Sequence, residues 1–318
     1  MKIGMTLPMR GPLANPDDIR VQVREAETLG FDHIGVNDHV IVPKSIDSRY
    51  PYSATGAFPG SASGACLDLF ELLAFVAAIS ERPKLVTAIA VVPHRGAVHT
   101  AKIVSTIDVL SKGRMVLGIG AGWMKEEFDA LNIPPFEARG KVTDEYLQAC
   151  KTLWTEDDPV FAGDHVQFEN ITFLPKPVQK PHPPIWVGGE SKAAMRRAVR
   201  LGDVWFPIGN NPRHPLNTPA RLKEGIQRLH RLAEEEGRDP NSVGLAFYAN
   251  WYDETKTQTT DTGERHILTG SAADLADDIG LLEELGFTDL LLQFQRETQE
   301  KTLASLEWFA SQVRRAPR

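Results

Sequence analysis

A chain of 318 residues, 42% hydrophobic and 24% charged, has ordinary globular composition and enough length for one large domain or two smaller ones. Its net charge of −7 argues against nucleic acid or an anionic membrane surface as the main partner, and no apolar run approaches the ~20 residues that span a bilayer. Cys66 and Cys150 lie far apart without metal-ligand spacing, and Met1-Lys2 leads straight into a strand-like run, so the expectation is a reducing cytoplasm, no zinc site and no leader peptide.

Ile3–Leu7 reads as a short strand ended by Pro8. Asp17–Leu29 carries Ile19, Val21, Val23, Ala26 and Leu29 on one broad face and is closed by Gly30, as a helix end should be. Phe31–Asn37 is a second strand, with Asp38-His39 at its carboxyl end. The polar, glycine-rich run from Val40 to Ala65 is too long for an idle connection and predicts an active-site wall or lid. A helix over Leu67–Ser80, a strand over Lys84–Val92 and a helix over Val98–Leu110 follow. The next strand, Gly113–Ile119, runs into Gly120-Ala121-Gly122-Trp123. After helical patterns at Lys125–Leu131 and Ala138–Trp154 the rhythm breaks. Residues from about 158 to 184 alternate Val160, Phe161, Val166, Phe168, Ile171 and Phe173 among prolines, which predicts a hairpin and an extended arm. The alternation resumes with strands at Ile185–Gly189, Asp203–Ile208, Val243–Trp251 and Thr288–Phe294. The helices between and after them are Ser191–Leu201, Thr218–Glu236, Ala272–Leu285 and Glu297–Val313.

Eight apolar strands alternating with helices indicate an α/β chain with parallel strands and crossover helices. Eight such units favour a closed (β/α)8 TIM barrel over an open sheet, as one domain over 1–318 with an insertion after the fourth βα unit. In such a barrel the active site lies at the carboxyl ends of the strands. Those tips are rich in glycine and aromatics and poor in carboxylates, which suits a flat aromatic cofactor better than metal-dependent hydrolysis; only Asp38-His39 resembles a ligand cluster, and no metal is expected.

His39, at a strand end beside an acid, can donate a hydrogen bond or a proton near neutral pH, or the pair can simply cap the long loop. Gly120-Ala121-Gly122 fits either a flat ligand over the strand end or a tight turn that packs a helix against the sheet. Gly188-Gly189 before Ser191 suits a phosphate at a helix start, or a plain turn with Ser191 as cap. Trp123, Trp205, Phe206 and Trp251 are candidates for the pocket wall or for core packing. His94-Arg95 could draw an anionic cofactor tail or face solvent.

Several segments together resemble a known family. They are Gly35-Val36-Asn37-Asp38-His39, Ser48-Arg49-Tyr50-Pro51-Tyr52, Leu110–Arg114 running into Gly118–Trp123, Glu126-Glu127-Phe128 and Pro183–Gly189. In that order they resemble the luciferase-like monooxygenase superfamily, and within it the coenzyme F420-dependent oxidoreductases. The resemblance implies a flavin or deazaflavin lying across the carboxyl ends of the strands. His39 matches the histidine beside the reactive ring carbon in deazaflavin-using relatives, and Asp38 is placed with the cofactor-binding residues. A non-proline cis peptide on the third strand, behind the ring, corresponds to Thr87-Ala88-Ile89-Ala90 and brings in Ala88 and Ile89. Gly120, Ala121 and Gly122 match the turn approached by the cofactor, and Gly188, Gly189 and Ser191 match its phosphate side. One position departs: the sugar-phosphate dehydrogenases of this branch carry a glutamate where this chain has Trp123, which points to an apolar, aromatic substrate pocket.

The expected activity is hydride transfer between F420 and a small organic substrate. The alternatives are a monooxygenase using reduced FMN and dioxygen, with a separate flavin reductase as partner, and a non-catalytic flavin-binding barrel. A homodimer is a further implication of the resemblance.

Overall fold

Eight parallel strands close on themselves. The computed structural model describes residues 1–59 and 65–314, so residues 60–64 of the predicted Val40–Ala65 loop and the terminal 315–318 lie outside the described residues. The barrel strands are β1 (Lys2–Thr6), β2 (His33–Val36), β3 (Lys84–Thr87, resuming over Ala90–Val91), β4 (Met115–Gly120), β5 (Ile185–Gly188), β6 (Val204–Phe206), β7 (Gly244–Ala249) and β8 (Phe287–Leu292). Each pairs in parallel with its sequence neighbours, and β1 closes the ring against β8, with Lys2 opposite Asp289 and Met5 opposite Leu292. The (β/α)8 barrel expected from the strand count is the observed fold.

The helices are α1 (Pro16–Thr28), α2 (Leu69–Ile79), α3 (Ala97–Leu110), α4 (Lys125–Leu131), α5 (Arg139–Thr155), α6 (Lys192–Leu201), α7 (Pro219–Glu235), α8 (Ala272–Glu284) and α9 (Gln299–Gln312). Their starts are chemically marked. Asn15 accepts from the amides of Asp17 and Asp18 ahead of Pro16, Ser191 accepts from Ala194 N, and Ser271 and Asp274 form a reciprocal capping box. Among the described residues no helix is long and apolar enough to cross a membrane.

Strand alternation divides the apolar residues into two bodies. One set fills the layer between barrel and helices. The other occupies the barrel interior: Val86, Ala88, Val116, Trp186, Phe206, Ala246, Tyr248 and Leu291. Bulk is shared unevenly around the ring. The aromatics come from β5–β7, while β1 and β2 offer Gly4 and Gly35, where an added Cβ would fall 2.6–2.7 Å from the methyls of Leu291.

One element differs from the sequence expectation. The third strand is not continuous over Lys84–Val92; it breaks at Ala88-Ile89, which is a non-proline cis peptide, and ends in a 3-10 turn over Val92–His94. Within the excursion after α5, only Phe161–Ala162 and Gln167–Phe168 pair, antiparallel, with the rings of Phe161 and Phe168 stacked at 5.8 Å.

Candidate active site

The carboxyl ends of the strands open on a cavity of about 440 Å3, within the range of small-molecule sites. Asp38, His39, Ala88, Ile89, Gly120, Ala121, Gly122, Trp123, Gly188, Gly189 and Ser191 all border it. Trp205 and Trp251 do not.

The extended chain of β2 carries Asp38 and His39 straight to the rim. The Asp38 side chain is buried and its carboxylate is engaged by the protein. It accepts from Val91 N at 2.9 Å and from both terminal nitrogens of Arg95, at 2.9 and 3.1 Å. Arg95 also reaches Asp68, the cap residue of α2, at 2.5 Å. A guanidinium forked onto two carboxylates is neutralised, so the expectation that Arg95 collects an anionic tail is corrected: the pair braces the tip of β3. His94 is buried against Phe128, their ring centres 5.1 Å apart. Burial lowers its pKa, so the neutral ring, 3.9 Å from Glu127, makes no ion pair there.

His39 has a different partner. Its Nδ1 lies 2.9 Å from Oε2 of Glu127, a residue 1% exposed in its side chain on the first turn of α4. The other oxygen of Glu127 accepts from the amides of Val40 at 2.7 Å and Ile41 at 3.3 Å. Burial pushes the Glu127 carboxyl up, but the hydrogen bond from His39, the electrostatic pull of the neighbouring His94 and His39 and the Val40 amide together outweigh it and leave the group below the usual carboxylate range. An ionised carboxylate only accepts, so Nδ1 must carry the hydrogen. In the neutral ring Nε2 is then an unprotonated acceptor, on a residue that borders the cavity.

The adjacent Glu126 works on the same loop further along, accepting from the amides of Asp47 at 2.7 Å and Ser48 at 2.9 Å. The loop so anchored supplies Tyr50, Pro51, Tyr52 and Phe58 to the cavity, which places the described part of the predicted wall where it was expected. The rings of Tyr50, Phe58 and Trp123 lie 5.1–5.4 Å apart, and His39 sits 4.9 Å from Phe58 and 6.4 Å from Trp123. Burial raises the Tyr50 phenol, which stays neutral.

The glycine turn serves packing as well as the cavity. A Cβ on Gly118 would fall 2.0 Å from the carbonyl oxygen of Thr87, and one on Gly120 would meet the Ile89 side chain at 2.5 Å. Gly122 adopts φ +87°, and a Cβ there would strike Phe128 of α4 at 2.7 Å. The tight-turn reading therefore holds for Gly122, although the Gly120–Gly122 backbone still borders the cavity.

Across the ring from β1, two arginines border the cavity together with Glu137. Ser191 stands at the start of α6, Arg197 of the same helix donates to Asp144 and, at 3.0 Å, to the Gly140 carbonyl, and Arg139 of α5 lies over the Phe136 ring at 3.9 Å.

Strand parity settles the other aromatics. Phe206 faces the barrel interior and borders the cavity. Trp205, one residue earlier, points into the helix-packed layer with no exposed surface, its indole donating to the Gly189 carbonyl at 2.9 Å. Trp251 shares the outward face of Phe247 and donates to the Ile267 carbonyl at 2.9 Å. Both were expected in the pocket wall, and their side chains are spent elsewhere.

Sequence reasoning missed Glu127 as a partner of His39, and also Arg139, Arg197 and Arg10. For Glu127 a signal existed: it sits within the apolar stripe Met124, Phe128, Leu131, where an acid is out of place. The arginines are unremarkable surface-helix or loop positions in the sequence, and only the fold brings them to one cavity.

The sequence model of a protein family described as luciferase-like monooxygenase matches residues 1–252. An uncharacterised protein of Mycobacterium tuberculosis is 28% identical over 256 residues, 80% of this chain and 87% of that one. An FMNH2-dependent dimethylsulfone monooxygenase of Pseudomonas putida is 39% identical over 136 residues, 42% of this chain and 37% of that one. Among solved structures, an F420-dependent secondary alcohol dehydrogenase in complex with an F420–acetone adduct superposes with a TM-score of 0.75 at 18% identity, covering 100% of this chain and 99% of that one. At that identity the likeness speaks for the fold alone.

Proposed function

Because the chain belongs to the luciferase-like monooxygenase family, we propose that it is an oxidoreductase in which hydride passes between coenzyme F420 and an organic substrate at the mouth of the barrel. The observation that carries this reading is the Glu127–His39 pair, a buried carboxylate fixing an imidazole that borders the cavity.

The donor set fits such a cofactor. Arg139, Arg197, the Ser191 hydroxyl and the first amides of α6 would hold its phosphate. Ala88, Ile89 and the backbone of Gly120–Gly122 would support its ring, and Gly188-Gly189 would lie between the two. When bound, F420 supplies the two-electron hydride chemistry. The chain's own residues orient, shield and handle the proton. Nε2 of His39 accepts a hydrogen bond or relays a proton from the substrate, and Glu127 stabilises the imidazolium if the proton stays. Tyr50, Phe58 and Trp123 stack on the substrate and exclude water. A homodimer paired through barrel helices and a cytoplasmic setting go with the proposal.

One observation favours a second reading: the relative from Pseudomonas putida is FMNH2-dependent. There reduced FMN would take the same end of the cavity, dioxygen would be co-substrate and a separate flavin reductase the partner.

Titration of the apo protein with F420 and with FMN, followed by oxygen-uptake measurements, separates the two. Tight F420 binding with no oxygen consumption is the expected result. His39→Ala should keep cofactor affinity and lose roughly 10²–10⁴ in turnover. Binding of neither cofactor rejects the oxidoreductase, and unchanged turnover removes His39 from the mechanism.

A further inference from the structure

Three arginines border the cavity among the described residues. Two are engaged by the protein: Arg139 donates to the Phe136 carbonyl, and Arg197 to Asp144 and Gly140. The third, Arg10, is not. It sits in the loop leaving β1, half-buried, and its Nη1 is buried with no acceptor among the described residues. The titratable groups near enough to act on it are Tyr50, Cys66 and Tyr248, none a carboxylate. Burial pulls its pKa below the ordinary arginine value, yet a guanidinium stays charged at any working pH.

Its setting is specific. The guanidinium carbon stands 4.8 Å from the ring centre of Phe58, which is in turn 4.9 Å from the ring of His39 and 5.3 Å from Trp123. In the eight-membered ring of strands β1 stands opposite β5, so the loop that carries Arg10 leaves a different side of the barrel from the one that leads to Ser191 and Arg197. It lies with the aromatics and the imidazole, where the substrate belongs.

A desolvated cation without a counter-charge is costly unless a ligand supplies one. A planar fork of donors matches the two oxygens of a carboxylate, and flanking flat rings suit a hydrocarbon body. We propose that Arg10 is the substrate-recognition residue of this cavity, and that it selects an organic carboxylate whose apolar body packs against Tyr50, Phe58 and Trp123. The fate of the bound acid rests on the oxidoreductase reading; its recognition by Arg10 does not.

The probes are 4-phenylbutyrate and its neutral amide, titrated calorimetrically into the wild type, Arg10→Met and Arg10→Lys, with phenylmethanesulfonate and inorganic phosphate as further arms. The wild type should bind the acid at least roughly tenfold more tightly than the amide. Arg10→Met should erase that preference while keeping wild-type affinity for F420 or FMN, and Arg10→Lys should keep part of it, having charge without the fork. The proposal is overturned if acid and amide bind alike or not at all to the wild type, if the preference survives in Arg10→Met, or if sulfonate or phosphate outcompetes the carboxylate. It is equally overturned if Arg10→Met weakens cofactor binding, since Arg10 would then serve the cofactor and the oxidoreductase reading would stand. Should neither cofactor bind, that reading fails, while an acid preference erased in Arg10→Met still supports the recognition role.

Discussion

Replacing Glu127 by glutamine changes the charge and one hydrogen-bonding end of a buried group while keeping its volume. The wild-type carboxylate accepts from His39 Nδ1 at 2.9 Å and from the Val40 and Ile41 amides at 2.7 and 3.3 Å. Glutamine has one carbonyl oxygen, and two backbone amides compete for it, so its NH2 end turns toward Nδ1. Two donors cannot face each other. The imidazole must then move its hydrogen to Nε2, and that nitrogen changes from acceptor to donor. Losing a charge-assisted bond in favour of a neutral one costs roughly 1–2 kcal/mol, lowering the melting temperature by a few degrees. Turnover should fall by about 10²–10⁴ through the wrong tautomer, with cofactor affinity unchanged. Glu127→Ala is harsher: it strands three donors, each costing about 1–3 kcal/mol, and is expected to unfold a large fraction of the protein. Long-range 1H–15N spectra of the histidine rings read the tautomer directly. If Glu127→Gln keeps the wild-type ring pattern and wild-type turnover, the carboxylate does not set the imidazole and the proposed chemistry loses its support.

Two further predictions concern stability. Glu190 is buried, and burial outweighs its bonds from Asn211 and the Ile208 amide, raising its carboxyl from 4.5 to about 7. Between those values the native protein holds a proton that the unfolded chain has released, so this group's contribution declines as pH rises through the window, by roughly 3 kcal/mol in all. Urea unfolding of wild type and Glu190→Gln at pH 5 to 8 should show the variant gaining relative stability with rising pH; parallel curves would refute it. Gly118→Ala would set a methyl 2.0 Å from a backbone oxygen of β3, and should cost about 3 kcal/mol or more by overpacking, read as a lowered melting temperature.

The barrel was legible because its signal is repetitive: eight apolar runs, each followed by a helical period, with a helix cap such as Ser191 written in the adjacent residue. His39 was legible because a strand end is a local feature. Parity was harder. Trp205 and Phe206 look equivalent in sequence, yet a single-residue step sends one to the outer layer and the other to the cavity. The break of β3 at Ala88-Ile89 carries no compositional mark, and its place came from resemblance. Arg10, Arg139 and Arg197 were invisible as a set because they come from strand-loop and helix positions scattered along the chain, and what matters about each is which acceptors surround it.

Neighbouring carboxylates on one turn of α4 grip four amides of the loop, at Val40, Ile41, Asp47 and Ser48, while one of them also holds the imidazole. The stem of that loop is therefore riveted to the same short helix that aims His39. Wall and imidazole thus share one anchor, and a substitution that shifts α4 would displace both together.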